Sequence, residues 1–259
     1  MPNRSKAMIR GLYTSAAGML AGLRRYETVV QNLSNVRTIG YKADRTTLND
    51  FPAMLLARIR GDRADAEVGT VATGVSLSAV TTNFNAGELR LTDHPYDFAI
   101  VGDGYFRLET PDGVRYTRDG RFYRGQDGRL TSADGYPVLG TNGPIVLPPT
   151  DGTPFTVTPQ GLIFVDDVPV AQLSLARFAN PADAVKVSQT NFKSAGAEPE
   201  TMPANEVRVF QGYLEESNVD VARETTELMS VMRAYESNQR LVQYQDQINR
   251  QTVSELGRV

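Results

Sequence analysis

Two carboxylates are enough for glycoside hydrolysis, one as the acid and one as the base or nucleophile. Asp93, Asp97, Glu109 and Asp166 stand in one stretch of this chain, together with its only histidine, His94. The pattern is weak, because with 30 Asp and Glu among 259 residues some carboxylates fall near one another in any fold. His94, between Asp93 and Pro95, reads as a surface side chain in a turn. Asp-Gly pairs begin at Asp112, Asp119, Asp127 and Asp134, and recurring carboxylates suggest calcium. A calcium loop needs oxygen ligands at every second position and a closing Glu, which none of these supplies. Asp-Gly is instead a preferred connection between antiparallel strands, because both residues tolerate positive φ. Gly102-Asp103-Gly104 lacks the spacing of a phosphate-binding loop, and no GxSxG nucleophile motif occurs. With no cysteine there is no thiol chemistry, disulfide or zinc thiolate site, and one histidine cannot make a multi-histidine metal centre. We assign no catalytic, cofactor-binding or metal-binding residues and expect a protein that is not an enzyme.

The elements around these residues are more informative. Near the N-terminus, apolar side chains recur at Leu12, Ala16, Met19, Leu23, Tyr26, Val30 and Leu33, in alternating steps of four and three. That is the seam of a helix packed on other helices. Gly11, Gly18 and Gly22 each weaken this helix by about 1 kcal/mol relative to Ala, so it needs partners. Near the C-terminus, Asp220 reads as an N-cap with Glu224 in the first turns. A second stripe runs through Val221, Leu228, Met232, Tyr235, Val242, Ile248 and Leu256, widened by Val231 and Leu241. Gly and Pro are absent from Val221 to Leu256, a length of about 50 Å as continuous helix. Between the helical runs, from Val71 to Val209, apolar residues come in short alternating runs punctuated by Asp-Gly, the pattern of a hairpin meander.

The expected fold class is therefore α+β: long N- and C-terminal helices packed together as a helical-bundle axial domain, flanking an inserted all-β domain. The boundaries read as 1–40 for the first helix, 41–70 for an extended linker, 71–209 for the β domain and 210–259 for the second helix. Charge adds little. Lys and Arg number 27 against 30 acids, which gives no electrostatic case for nucleic acid or an anionic membrane, and no stretch is long and apolar enough for membrane insertion. In "MPNRSKAMIRGLYTSAAGML", Arg10, Thr14 and Ser15 interrupt the apolar residues, so no cleaved signal peptide is expected.

Two junctions carry a resemblance. "IRGLYTSAAGMLAGLRRYETVVQNLSNVRTIGYKADR" resembles the N-terminal signature of the bacterial flagellar rod and hook proteins, through Asn32, Leu33, Asn35, Thr38, Gly40, Tyr41 and Lys42. Gln31 stands where that family usually has Asn, and Ser34 where it has Ala. "GYLEESNVDVARETTELMSVMRAYESNQRLVQYQDQINR" is similar to the family's C-terminal segment, with Gly212, Leu214, Glu215, Ser217, Asn218, Val219, Ala234, Tyr235, Glu236 and Asp246 in place. The block from Asp97 to Gly140 resembles its β domain. The match begins at Met8, so Met1–Ala7 reads as an extension.

The resemblance implies that both terminal helices pack into the wall of a tubular axial structure, with the β domain outward. Partners implied are further copies of the chain in a helical polymer, other rod and hook proteins, and the flagellar type III apparatus that exports such subunits to the basal body. Length favours a rod over a hook protein; "GYPVLGTNGPIVLPP" resembles the proximal rod proteins and "IRGLYTSAAGML" the distal ones, with the distal type narrowly favoured. Physically, Asn35 and Gly40 take turn conformations at low cost, letting the chain leave the first helix, and Ser217, Asn218 and Asp220 bring it back to cap the second. A secreted cell-wall hydrolase or a carbohydrate-binding β protein with helical ends is the competing reading.

Overall fold

Helix α1 spans Asn3–Ser34 and stops where its side chains begin to compete for the backbone. Thr38 donates from its amide to the Asn35 carbonyl at 3.1 Å and from its hydroxyl to Asn35 Oδ1 at 3.1 Å. Two residues on, Gly40 takes φ 67°, a conformation that costs other L-residues. Helix α2 spans Val221–Leu256, with Glu224 in its first turn, where a carboxylate favours the helix dipole. Ser217 Oγ accepts from the Val219 amide just before it. The computed structural model describes residues 3–50, 54–60, 63–71, 75–148, 155–203, 205–206 and 208–256.

The chain divides into two compact units. The first holds α1, α2 and the stretch Asp44–Thr81 between them in sequence. In this stretch Asp44–Asp50 pairs with Val75–Thr82, and Met54–Arg60 pairs antiparallel with Arg63–Val71, with two register shifts. The helices run antiparallel: Gly18 faces Asn238, Arg25 forms an ion pair with Glu227, and Asn32 reaches Glu224.

The second unit comprises Ser34–Ala43 and Thr82–Asp220; among its described residues the regular elements are strands, apart from a 3-10 turn at Pro181–Asp183. Its largest sheet has six strands, in the order Ala184–Lys186, Asn191–Ser194, Gly113–Thr117, Tyr105–Thr110, Leu175–Arg177 and Glu200–Thr201. Phe155–Val157, Leu162–Val165 and Val168–Gln172 make a three-stranded meander. One core gathers Phe98, Phe106, Phe122, Leu130, Ile163 and Leu175 with their neighbours, and a smaller one gathers Tyr105, Tyr116, Phe178 and Phe192.

The expectation of a helical bundle flanking an inserted all-β domain is overturned. The protein is mostly β, and among the described residues α-helix is confined to α1 and α2. Two helices leave most of their surface uncovered: among the described side chains of α2 only Val231 is buried. Strands also occupy residues expected as a linker, because Met54–Arg60 and Arg63–Val71 find their pairing in each other rather than in an Asp-Gly signal. The turns differ in detail as well. Gly113, Gly128 and Gly135 do take positive φ, but Gly120 serves packing: a Cβ there would lie 1.6 Å from the Phe98 carbonyl oxygen. The two-residue hairpin between Val165 and its partner Val168 is turned by Asp166-Asp167, both at positive φ.

Candidate functional site: buried clasps and exposed helix faces

In the first unit, Asn32 is 1% exposed although its side chain is a polar amide. A buried amide is tolerated only when its hydrogen bonds are made, and here they join three elements. Asn32 Nδ2 donates to the Asp44 carbonyl at 2.8 Å and to Glu224 Oε2 at 3.2 Å, while its Oδ1 accepts from the Asp44 amide at 2.9 Å. One side chain thus ties the end of α1 to the strand that follows and to the first turn of α2. Thr46 and Thr28 join hydroxyls beside it at 2.9 Å.

The second unit has a larger clasp, centred on Glu215. This carboxylate is 1% exposed, and an ionised group at that depth requires charged or hydrogen-bonding partners. Oε1 accepts from Lys42 Nζ at 2.6 Å and from the Gly87 amide at 2.9 Å. Oε2 accepts from Arg118 at 3.1 Å. Lys42 also donates to the Asn85 carbonyl, and Arg118 to the Gly102 carbonyl at 2.7 Å, with its guanidinium 5.0 Å from the Tyr105 ring centre. Burial lowers the Lys42 pKa against the opposing pull of Glu215, and burial pushes the Tyr105 phenol up to about 12.

Backbone contacts complete the closure. The Gly40 amide donates to the Glu215 carbonyl at 2.8 Å. Asn218 Oδ1 accepts from the Ala43 amide, and its Nδ2 donates to the carbonyls of Asn83 and Asn85. Lys186 donates to the Lys42 carbonyl and sits 3.9 Å above the Tyr41 ring. Gly212, at φ 76°, lets Val209–Gln211 turn into Tyr213–Glu215, and its carbonyl accepts from the amides of Thr92 and Asp93. The segment arriving from α1 and the segment leaving for α2 are thus sewn together inside this unit.

Asp119, beside the clasp, has its pKa pushed up to about 6 by burial, opposed by the Arg121 amide it accepts from. The folded state then holds the proton more tightly than the unfolded chain. This contribution to stability is complete below the ordinary carboxylate range and is lost as pH rises from about 4 to about 6, a change of roughly 3 kcal/mol at most. Asp119→Asn, which mimics the protonated form, is expected to gain on the parent chain over that interval. Urea midpoints at several pH values check this; a parent-minus-variant difference that stays flat, or slopes the other way, refutes it.

The residues singled out in the sequence separate into two sets. Asn32, Asn35, Gly40, Tyr41, Lys42 and Gly212 are buried, and Ser217 and Asn218 half-buried; all except Asn32 lie in the second unit. Of the helical seam, Met19, Val30, Leu33, Leu228 and Val242 are half-buried, whereas Leu23, Tyr26, Val221, Met232, Tyr235 and Ile248 are exposed. The side chain of Leu12 lies outside the described residues. Among the described side chains of α1, the buried ones are instead Ser15, Ala21, Thr28, Val29 and Asn32. Arg118 and Lys186 were not foreseen as clasp members, since a single basic residue in a β meander has no spacing to mark it.

Of the candidate acid-base residues, Asp93 and Glu109 are exposed. Asp97 is buried and accepts from the Thr92 hydroxyl at 2.7 Å. His94 is half-exposed, with Nδ1 3.7 Å from the same carboxylate. Asp166 forms the hairpin turn already described.

What this arrangement defines is a class of structural subunit: a β body with its entering and leaving segments locked, and terminal helices that keep apolar side chains in water. Residues 99–165 match the family described as the flagellar hook protein FlgE/F/G D1 domain, and residues 211–255 match the flagellar basal body rod FlgEFG protein C-terminal family. The flagellar basal-body rod protein FlgG of Agrobacterium fabrum is 33% identical over 258 residues, 93% of this chain and 97% of its own. FlgG of Bacillus subtilis is 30% identical, over 95% of this chain and 99% of its own. The rod protein FlgF of Mesorhizobium japonicum is also 30% identical, over 95% and 97%. The chain belongs to the flagellar basal-body rod protein family.

Proposed function

We propose that the chain is a structural subunit of the bacterial flagellar basal-body rod, self-assembling through α1 and α2 into the tubular shaft that transmits torque. The observation carrying this reading is the apolar surface of the first unit. Leu20, Leu23, Tyr26, Met229, Met232, Tyr235, Leu241, Tyr244 and Ile248 are all more than a third exposed, on helices that have no further helix to cover them among the described residues. Burying the part of each such side chain still in water contributes about 0.5–2 kcal/mol, and contacts that do not close on themselves give open helical assemblies. The relatives' names place them in the flagellar basal body, which supports the same location for this subunit, alongside other rod and hook proteins. Within the rod, the N-terminal motif favours the distal type. Export through the flagellar type III apparatus completes the reading. The role is mechanical and asks for no enzyme chemistry. Electron microscopy of the concentrated full chain is expected to show filaments or tubes. A chain that stays monomeric at every concentration by light scattering contradicts the proposal.

A further inference from the structure

Several turns of the second unit share one form. Residues 110–113, 125–128, 132–135, 140–143 and 158–161 each end on a glycine with φ between 78° and 109°. Gly128, Gly135 and Gly161 donate their amides to the carbonyls three residues earlier at 2.8–3.0 Å. Thr110 with Gly113, and Gly140 with Gly143, are strand partners. The residue before the glycine is an aspartate at Asp112, Asp127 and Asp134, and a glutamine at Gln160. In the remaining turn it is Asn142, and Asn142-Gly143 is the only Asn-Gly pair in the chain.

We propose that Asn142 is a modification site, at which the chain deamidates without an enzyme. Asn142 is exposed, and its side chain takes no hydrogen bond among the described residues. Gly143 puts no side chain in the way of its own nitrogen, and even a Cβ added there would meet nothing within 4 Å. The Gly143 amide nitrogen gives up its proton to solvent and bonds to Asn142 Cγ. The bond from Cγ to the side-chain nitrogen breaks, and ammonia leaves with a proton from water. Water then opens the cyclic imide at one carbonyl or the other, giving an aspartyl or an isoaspartyl residue, and nothing is oxidised or reduced. Ring closure needs the turn to open, and the hairpin behind it is short: Leu139–Gly140 pairs with Gly143–Pro144, and Pro144 has no amide to donate. Other asparagines are worse placed. Asn32, Asn35 and Asn191 are buried, and Asn180 precedes Pro181, which has no N–H to ionise.

The two products differ in consequence. The aspartyl form is the turn already built at Asp112, Asp127 and Asp134, so the hairpin keeps its shape and gains a negative charge. The isoaspartyl form lengthens the main chain by a methylene. That displaces Gly143 and Pro144 from their partners, directly before Ile145, which is 1% exposed in the core.

The full chain is incubated folded at mildly alkaline pH and sampled over time by peptide mapping, with protein isoaspartyl methyltransferase reporting the isoaspartyl form. Asn142 is expected to convert several-fold faster than any other asparagine. Asn142→Gln, which copies the Gln160-Gly161 turn, is expected to remove that signal. The isoaspartyl fraction is expected to have a lower urea midpoint than the parent chain, and Asn142→Asp an unchanged one. Conversion at Asn142 no faster than at the other asparagines overturns the site. An isoaspartyl fraction as stable as the parent, or an Asn142→Asp chain as destabilised as that fraction, overturns the distinction between the two products.

Discussion

Replacing Glu215 by Gln is expected to destabilise the protein by about 3–5 kcal/mol. The substitution keeps the side chain's shape and its capacity to accept from the Gly87 amide, and so isolates the charge. What it removes is the counter-charge of Lys42 and Arg118, both almost fully buried. Two cations held in a low-dielectric interior without an anion are strongly disfavoured. The cluster then adjusts by deprotonating Lys42, whose pKa burial already lowers, or by opening to water. Either route loosens the join between the segments around Lys42 and Glu215. Equilibrium denaturation in urea, followed through the tyrosine signal, measures the loss, and a value below about 1 kcal/mol means that the charge is not what holds the clasp. Combining Glu215→Gln with Lys42→Met should cost less than the sum of the single changes, since the second relieves the penalty left by the first.

Gly40→Ala carries the second large effect, through the backbone. Gly40 has φ 67°, which costs an alanine about 1–2 kcal/mol by itself. The added Cβ would lie 2.4 Å from the Asp119 amide nitrogen and 2.5 Å from the Arg118 carbonyl carbon. These are main-chain atoms, so no side chain can turn aside, and relief means moving Gly40 away from the Glu215 carbonyl it donates to. The expected total is about 3 kcal/mol or more, with loss of amide protection around Gly40 and Glu215 in hydrogen exchange. Gly22→Ala is the contrast. That glycine lies within a helix with open space around it, so the variant should be stabilised by about 0.5–1 kcal/mol. Equal destabilisation of the two would show that glycine content alone, and not the closeness of the Arg118–Asp119 backbone, matters at Gly40.

Much of the junction chemistry was legible in the residues. An Asn-rich stretch after a helix, followed by Gly40, marks an exit in which side chains compete with the backbone, and the structure closes Asn35 and Thr38 on each other there. The partners of Glu215 were not legible. Lys42, Gly87 and Arg118 are 173, 128 and 97 residues away from it in the chain, and no local pattern encodes pairings over such distances. The hairpin of Met54–Arg60 and Arg63–Val71 escaped for a related reason: its strands alternate imperfectly, and the register shifts that accommodate this arise only once they pair.

The sequence by itself determined the local grammar of this protein: two long helices at the ends, a turn-rich β middle, and glycines and asparagines where the chain changes direction. Those properties rest on backbone preference and periodicity, which act within a few residues. Only the tertiary structure decided that the molecule is mostly β, that Asn32 and Glu215 are buried hubs, and which apolar side chains of the helices remain in water. Burial and ion pairing depend on what arrives from elsewhere in the chain. A stripe such as Leu23, Tyr26, Met232 and Tyr235 looks the same in sequence whether its partner is another part of the fold or another copy of the protein.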